Sequence, residues 1–277
     1  MCQGTVRAAL LKARPARFLQ HERSTSEIMT LSSKGDLAGL RRAGAVVAET
    51  LQAMEAAARP GVRTDELDAI AERIFRRHGA RSAPQLAYDF PGITCISVNE
   101  QIVHGIPGER ALEPRDVVKL DVTAELDGYV ADAAVTVLIP PAQPVARRLR
   151  KAVRRAFERA RAVARAGVAV SELGRAVEEE VRKWNCAVVR ELRGHGVGRA
   201  IHEPPSIPNY YSPLTEGILH EGLVIALEPI VSESPARVVE EPDGWTLRTH
   251  NRTLAAHYEH TVVITADGAE VVTARAA

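Results

Sequence analysis

The sequence predicts an α+β fold with two pseudo-symmetric halves, in which helices cover one face of a mostly antiparallel sheet. Residues 117–138 hold two β-rich runs separated by Asp127-Gly128, the strongest short-range signal for a β-hairpin. Residues 60–67 and 166–173, which lie 106 residues apart, are identical at four of eight positions. Each copy follows one helical segment, opens another and precedes strands. We therefore expect a duplicated unit within a single domain that spans residues 34–277.

Composition narrows the functional classes. The chain has 277 residues, enough for a sizeable core, with 45% apolar and 26% charged residues and a net charge of +1. That charge gives no electrostatic reason to expect nucleic acid or a membrane surface as a partner. Cys2, Cys95 and Cys186 are odd in number and lack C-x-x-C spacing, which argues against a disulfide framework or zinc finger and indicates a reducing, cytoplasmic location. No apolar run approaches the ~18 residues of a transmembrane helix.

The first 33 residues differ from the rest of the chain. They are rich in arginine and contain an apolar piece too short for the hydrophobic region of a signal peptide. We interpret residues 1–33 as a flexible basic extension. Two alternatives stay open: Met29 is the true initiator, or the segment is a transit peptide, although two acidic residues interrupt it.

Helical patterning and helix-stop signals place four helices, at about residues 36–59, 64–77, 145–166 and 171–183. Pro60-Gly61 ends the first helix and Gly79 ends the second. The helix at 145–166 is strongly basic on its polar face, which we interpret as solvent-exposed because no aromatic residues interleave with the charges. A strand is expected at about residues 94–98, ahead of the hairpin.

The hairpin carries two acidic residues that its geometry brings together. A two-residue turn at Asp127-Gly128 sets Thr123 opposite Asp132, and Asp121 shares the strand face of Thr123. Asp121 and Asp132 are then diagonal neighbours roughly 7 Å apart. A solvated hairpin face, or one aspartate capping a bulge, would explain the pair equally well, and a slip of one residue would separate the two acids.

Four further candidate functional residues, two histidines and two glutamates, lie in the second half of the chain. His195 lies among three glycines and His202 follows before Glu203-Pro204-Pro205, a setting equally compatible with structural histidines and with ligands. Glu228 and Glu259 each lie in an apolar β-rich run, where a carboxylate is costly unless it is paired with an arginine or bound to a metal.

Four clustered acids require cations. Two like charges 4 Å apart repel by roughly 4 kcal/mol at an effective dielectric constant of 20. Two divalent ions balance four carboxylates, and oxygen ligands with one imidazole suit Mn²⁺, Fe²⁺, Co²⁺ or Zn²⁺. Such a pair activates a bridging water for hydrolysis.

Several motifs in one order resemble those of the type I methionine aminopeptidases, from about residue 36 to 275. They are residues 99–107 (NEQIVHGIP), 120–123 (LDVT), 127–128 (DG) with Asp132, 194–199 (GHGVGR), 202–203 (HE), 227–229 (LEP), 243–246 (DGWT) and 258–261 (YEHT). The resemblance implies a pita-bread fold with a curved sheet, and a metal-dependent hydrolase that removes the initiator methionine, preferring a small second residue. It also implies two divalent ions (Co, Mn, Fe or Zn) and a hydroxide that bridges them.

Carried over by position, the resemblance assigns the metal ligands. Asp121 would chelate one ion, Asp132 and Glu259 would bridge both, and His195 and Glu228 would complete the second. Glu228 would also act as the general base.

The resemblance also assigns residues to the substrate. His104 would contact the substrate and shuttle protons near the leaving amine, and His202 would hydrogen-bond the scissile carbonyl oxygen. Phe90, Cys95 and Trp245 would line the methionine pocket, although for Cys95 a plain buried strand residue is an equal alternative. We expect nascent polypeptide N-termini as partners, with transient ribosome contact at most, and a monomer.

The chain departs from the resembled family at a few positions. Ala133-Ala134 follows Asp132 where a hydroxyl residue is usual, His257 stands where glutamine is usual, and Pro84 and Ala87 replace larger pocket residues. No ligand of the family is missing, so we expect activity. Two rival hypotheses are an X-Pro peptidase, which usually carries a large extra N-terminal domain, and a metal-free binding module of the same fold.

Overall fold

A computed structural model describes residues 29–274. The helices are α1 (Lys34–Ala57), α2 (Thr64–His78), α3 (Ala83–Tyr88), α4 (Pro144–Val163) and α5 (Val170–Lys183). The strands are β1 (Arg81–Ser82), β2 (Cys95–Val98), β3 (Gln101–Val103), β4 (Val117–Leu126), β5 (Tyr129–Leu138), β6 (Ala187–Val188), β7 (Arg193–Gly196), β8 (Glu203–Pro208), β9 (Val224–Leu227), β10 (Ile230–Ser232), β11 (Val238–Glu240), β12 (Leu247–Thr249), β13 (Ala255–His257), β14 (Glu259–Ile264) and β15 (Ala269–Val271).

The central hairpin forms with the predicted register. β4 and β5 pair along their whole length, with Leu126 opposite Tyr129 and Thr123 opposite Asp132. Asp127 and Gly128 have φ angles of 53° and 80°, as a type I′ turn requires at both central positions. The prediction is therefore confirmed.

The hairpin lies within a nine-stranded antiparallel sheet. Its order is β1-β4-β5-β14-β9-β7-β8, with β2 also paired to β4 and β15 to β14. Helix α1 packs on β4 and β5, where Leu120 and Val122 join Leu40 in a fully buried core cluster. Because side chains alternate across a strand, Asp121 and Thr123 face the opposite side. Helices α4 and α5 pack together over a second core cluster that includes strand β9.

The predicted duplication is visible in equivalent hydrogen bonds. Helix α2 begins at residue 64 and α5 at residue 170, the same offset as the sequence repeat. Ahead of them, Gly61 N–H donates to Leu112 O and Gly167 N–H donates to Leu219 O, both at 2.8 Å. The two glycines have φ angles of 87° and 86°, which explains why both copies keep glycine there. Two related halves therefore share the sheet.

Two features differ from the sequence interpretation. Helix α3 was not expected, because six residues give too few turns for a periodicity signal; Ser82 Oγ caps it by accepting from Gln85 N–H. Residues 29–33, grouped with the extension, are attached to the domain: Met29 is buried and Leu31 N–H donates to Gly222 O at 2.9 Å. Residues 1–28 of the predicted extension lie outside the described residues.

Within residues 29–274, no helix combines the length and apolar character that crossing a bilayer demands.

Candidate metal centre

A cavity of about 280 Å³ opens on the face of the sheet opposite helix α1. It is lined by many of the titratable side chains that the sequence singled out. They are Cys95, His104, Asp121, Asp132, His195, His202, Glu228 and Glu259, joined by Tyr88, Thr123 and His257. All five predicted ligands therefore face one space, although they come from distant parts of the chain.

Two threonines hold Asp132, one from the hairpin and one from β14. Thr123 Oγ1 donates to Asp132 Oδ1 at 2.9 Å, which uses the pairing across β4 and β5. Thr261 Oγ1 accepts from the Asp132 N–H at 2.8 Å and donates to the Asp132 carbonyl at 2.9 Å. These bonds fix Asp132 at the junction of β5 and β14. Sequence reasoning used Thr123 only to set the register, although its position opposite Asp132 could have revealed the contact.

The second half supplies the other three predicted ligands. Glu259 begins β14 opposite Ala134, and Glu228 directly follows β9. His195 lies on β7, and its Nδ1 is 2.9 Å from Gly196 O. Since a carbonyl can only accept, Nδ1 carries the proton and Nε2 presents its lone pair to the cavity, 3.4 Å from Glu228 Oε1.

Burial determines the charge state of these groups. It raises the pKa of Asp132 to about 7, and it raises the pKa values of Asp121, Glu228 and Glu259 well above their usual range. Neighbouring carboxylates add to the rise for those three. Burial also lowers the pKa of His195 to about 4, so that its imidazole is neutral. The cluster therefore favours a neutral form unless cations enter it.

The donor set fits divalent ions. Asp132, His195 and Glu259 each present a ligand atom within 4.8 Å of the other two, and Glu228, His257 and Glu259 do the same. Glu259 Oε1 is buried without a hydrogen-bond partner. Within residues 29–274, no arginine or lysine forms an ion pair with the four carboxyls, so the salt-bridge alternative does not account for them.

Two further predicted histidines, His104 and His202, line the cavity beside the acids. The His202 ring lies 4.2 Å from the His195 ring, and its Nδ1 is 2.5 Å from Tyr88 Oη. His104 has a φ of 59°, a strained left-handed conformation for a residue other than glycine. Burial, assisted by His195, lowers the pKa of His104 to about 4. Sequence reasoning missed Tyr88 because its helix was not expected.

The predicted methionine pocket is only partly seen. Cys95 lines the cavity opposite Asp121, and burial raises the pKa of its thiol well above the usual range, which keeps it neutral and weakly polar. Phe90 and Trp245 pack edge to face with ring centres 5.2 Å apart, and neither lines the described cavity. Their role as pocket walls stays a prediction.

Comparison with known proteins gives consistent results. The family model of metallopeptidase family M24 matches residues 38–266. Methionine aminopeptidase 2 of Bacillus subtilis is 38% identical over 88% of this chain and 99% of its own, and a methionine aminopeptidase of Staphylococcus epidermidis is 39% identical over 87% and 96%. The crystal structure of methionine aminopeptidase from Thermotoga maritima superimposes with a TM-score of 0.86 at 33% identity, over 89% of this chain and 99% of that one.

More distant structures share the fold alone. Prolidase from Pyrococcus furiosus gives a TM-score of 0.71 at 24% identity, over 90% of this chain but only 66% of its own.

Proposed function

The chain belongs to metallopeptidase family M24, and from this membership we propose that it is a metal-dependent methionine aminopeptidase that removes the initiator methionine from polypeptides. The resemblance drawn from the sequence motifs and the pita-bread α+β fold that it implied are confirmed. One observation carries the functional assignment: four carboxyls, three of them buried and that of Asp121 half-buried, and an imidazole face one cavity and have no lysine or arginine partner in residues 29–274.

We propose that two divalent ions occupy this cavity. Asp121, Asp132, His195, Glu228 and Glu259 would hold them, with Asp132 and Glu259 shared between both. Oxygen donors with imidazole support Mn²⁺, Fe²⁺, Co²⁺ or Zn²⁺ over Mg²⁺ or Ca²⁺. When bound, such ions lower the pKa of a water and polarise the scissile carbonyl.

The proton transfers fall to the side chains. Glu228 takes a proton from the attacking water, and that proton passes to the nitrogen of the peptide bond as it breaks, so that the remaining polypeptide leaves as a free amine. Burial, followed by Asp132 and Asp121, raises the pKa of Glu228 well above its usual range without metal, so Glu228 takes the proton as the carboxylate that bound cations would favour. His104 contacts the substrate beside this nitrogen and relays the proton.

The hydrogen bond to Tyr88 determines which ring nitrogen of His202 carries the proton. Burial raises the pKa of Tyr88 to about 12, with Asp132 adding to the effect, so its hydroxyl stays protonated. If Tyr88 donates to His202 Nδ1, the imidazole proton lies on Nε2. His202 then donates from Nε2 to the carbonyl oxygen of the methionine, where negative charge develops.

We further propose where and on what the enzyme acts. Its partners are the N-termini of nascent polypeptides, which it meets in the cytoplasm as a monomer with at most transient ribosome contact. The free thiols of Cys95 and Cys186 support a reducing compartment. Phe90, Cys95 and Trp245 would supply apolar, polarizable surface for the thioether of the substrate.

Peptide cleavage tests the assignment. Protein stripped of metal and reloaded under anaerobic conditions is given Met-Ala-Ser, Met-Leu-Ser and a peptide whose second residue is proline and whose first is not methionine. We expect free methionine from Met-Ala-Ser alone, measured by amino-acid analysis, with the metal-free protein as control. Cleavage only of the proline peptide would support an X-Pro peptidase. Metal binding without any cleavage would support a binding module and contradict the proposal.

A further inference from the structure

We propose that His257 is a sixth protein ligand of the metal centre. Its imidazole would bind the same ion as Glu228, and Glu259 would be shared between this ion and the other. The inference rests on the proposed metal-dependent function. It deepens that proposal, because the ligand set carried over from the resembled family contains one histidine, whereas the cavity presents two to the carboxylates.

The backbone of His257 is fixed. The residue ends strand β13 opposite Ile230 of β10, and only 2% of its surface is exposed. Its N–H donates to Thr136 Oγ1 at 2.9 Å, and its carbonyl accepts from the same hydroxyl at 2.8 Å. Thr136 therefore holds both main-chain groups of His257, and the side chain lines the cavity.

The ring is buried without a hydrogen bond. Neither Nδ1 nor Nε2 of His257 has a hydrogen-bond partner among the described residues. Buried polar atoms nearly always have partners, and an exception calls for an explanation such as an ion. Nε2 is aimed at two carboxylates, 3.5 Å from Glu228 Oε2 and 3.4 Å from Glu259 Oε2.

These separations suit ligands of one ion better than hydrogen bonds. Two donors that each lie about 2.1 Å from one cation are roughly 3.0 Å apart at right angles and roughly 3.4 Å apart at tetrahedral angles. A hydrogen bond from imidazole to carboxylate would bring the atoms to about 2.7–2.9 Å. The ligand atoms of Glu228, His257 and Glu259 all lie within 4.8 Å of one another, which leaves room for a cation among them.

Two groups of three ligand atoms meet in the cavity. Asp132, His195 and Glu259 form one, and Glu228, His257 and Glu259 form the other, with Glu259 common to both. Since His195 Nε2 also lies 3.4 Å from Glu228 Oε1, the ion that Glu228 and His195 complete would have two imidazoles. A second nitrogen donor shifts the metal preference of the centre from Mn²⁺ towards Co²⁺ and Zn²⁺. Imidazole is a favoured ligand of these two ions, whereas Mn²⁺ is suited to carboxylates.

Cobalt titration tests the proposal in a substituted protein. The variant is His257→Gln, which places the usual residue of the resembled family at this position. Metal-free protein is titrated with Co²⁺ by calorimetry and by visible absorption, which reports the ligands of cobalt directly. We expect the affinity of one of the two sites to fall at least about ten-fold and the spectrum of that site to change. His104→Gln is the matched control, a buried histidine of the same cavity outside both groups, and should bind Co²⁺ as the unsubstituted protein does.

A second measurement needs no substitution and so does not depend on how a variant folds. In the proton NMR spectrum of the cobalt-loaded protein, each imidazole that binds Co²⁺ through Nε2 gives one exchangeable, strongly shifted Nδ1–H signal. We expect two such signals, from His195 and His257, and their loss in deuterium oxide. A single signal, or unchanged cobalt affinity and spectrum in His257→Gln, would overturn the proposal. Methionine release with a single signal would refute the sixth ligand and leave the function standing, whereas two signals without methionine release would do the reverse.

Discussion

Two sets of largely buried carboxyls in this chain differ in how their charges are met. The anchoring pair, Asp36 and Glu203, is surrounded by donors of the protein itself. Glu203 accepts from the N–H groups of Met29, Arg199 and Ala200 at 2.6–2.7 Å. Asp36 accepts hydrogen bonds from Ser32, Ser33 and Tyr129 and forms an ion pair with Arg199 at 2.8 Å.

The second set, the cavity acids, is Asp121, Asp132, Glu228 and Glu259. Its described donors are few: Thr123, the Asp121 carboxyl and the Ala133 N–H serve Asp132, whereas Glu228 and Glu259 face histidine nitrogens 3.4–3.5 Å away. Hydrogen bonds from the serines and the tyrosine lower the pKa of Asp36 to about 2, whereas burial raises the pKa values of the cavity acids. The supply of donors therefore distinguishes the acids that anchor the chain from those that we propose as metal ligands.

Glu203 shows the same contrast between acids that line one cavity. It lines the same space as the cavity acids and follows His202 directly. Both of its oxygens are nevertheless taken up by backbone N–H groups, which attach Met29 and the glycine-rich loop to the sheet. Proximity to the centre alone is therefore a poor guide to ligands.

The largest effect is expected from Asp132→Asn. The amide loses a charge that both ions would share, so that metal binding and turnover fail together. Metal ions contribute several kcal/mol to the transition state, and we expect kcat to fall by at least about a thousand-fold, with less metal by elemental analysis. Unchanged kcat would contradict the assignment of the cavity acids.

Metal removal should make the stability of the protein depend on pH, because the cavity acids then lack cations. The pKa of Asp132 is raised from 3.8 to about 7 in the folded, metal-free protein, so the folded state holds a proton that the unfolded state has released. The stability of the metal-free protein therefore falls as pH rises through about 7. Asp132 alone would contribute about 3 kcal/mol to this loss between about pH 5 and about pH 8.

Metal loading should reverse this trend, because ligands must be deprotonated to bind. Urea unfolding of the metal-free and metal-loaded protein, at about pH 5 and about pH 8, checks it. The stabilisation that metal confers should grow with pH. Equal stabilisation at both values would mean that the cavity acids are already ionised without cations.

The sequence predicted the parts of the centre that local geometry controls. Asp121 and Asp132 were placed together because a two-residue turn fixes the register of a hairpin. Glu259 was recognised as costly in an apolar strand, but its pairing with β5 depends on a contact across 125 residues, from Ala134 to Glu259. Such long-range pairing leaves no periodic signal in the chain.

Other contacts could not be read from the sequence for the same reason. Tyr88 reaches His202 from a six-residue helix, and the hydrogen bond joins residues 114 positions apart. His257 was noticed only as a departure from the resembled family. Its role depends on Thr136, 121 positions away, which fixes its backbone. The residues were visible in the sequence, and their partners were not.

The smallest effect, and the one that sharpens the comparison most, is expected from Asp36→Asn. Because the pKa of Asp36 is lowered from 3.8 to about 2 in the folded state, its stabilising contribution is full above about pH 4 and is lost as pH falls towards about 2. The variant should therefore be less stable than the unsubstituted protein near neutral pH, by a few degrees in Tm at most, since Arg199 is half exposed.

That difference should shrink when unfolding is measured near about pH 3, while metal content and kcat stay unchanged at neutral pH. The matched control is Asp127→Asn, an exposed acid whose turn accepts asparagine equally well and whose ion pair with Arg42 is 3.3 Å long. It should leave Tm unchanged at both pH values. If Asp36→Asn instead lowered the metal content, an acid satisfied by serine and tyrosine hydroxyls would still influence the ions. The anchoring pair and the cavity acids would then form one coupled network.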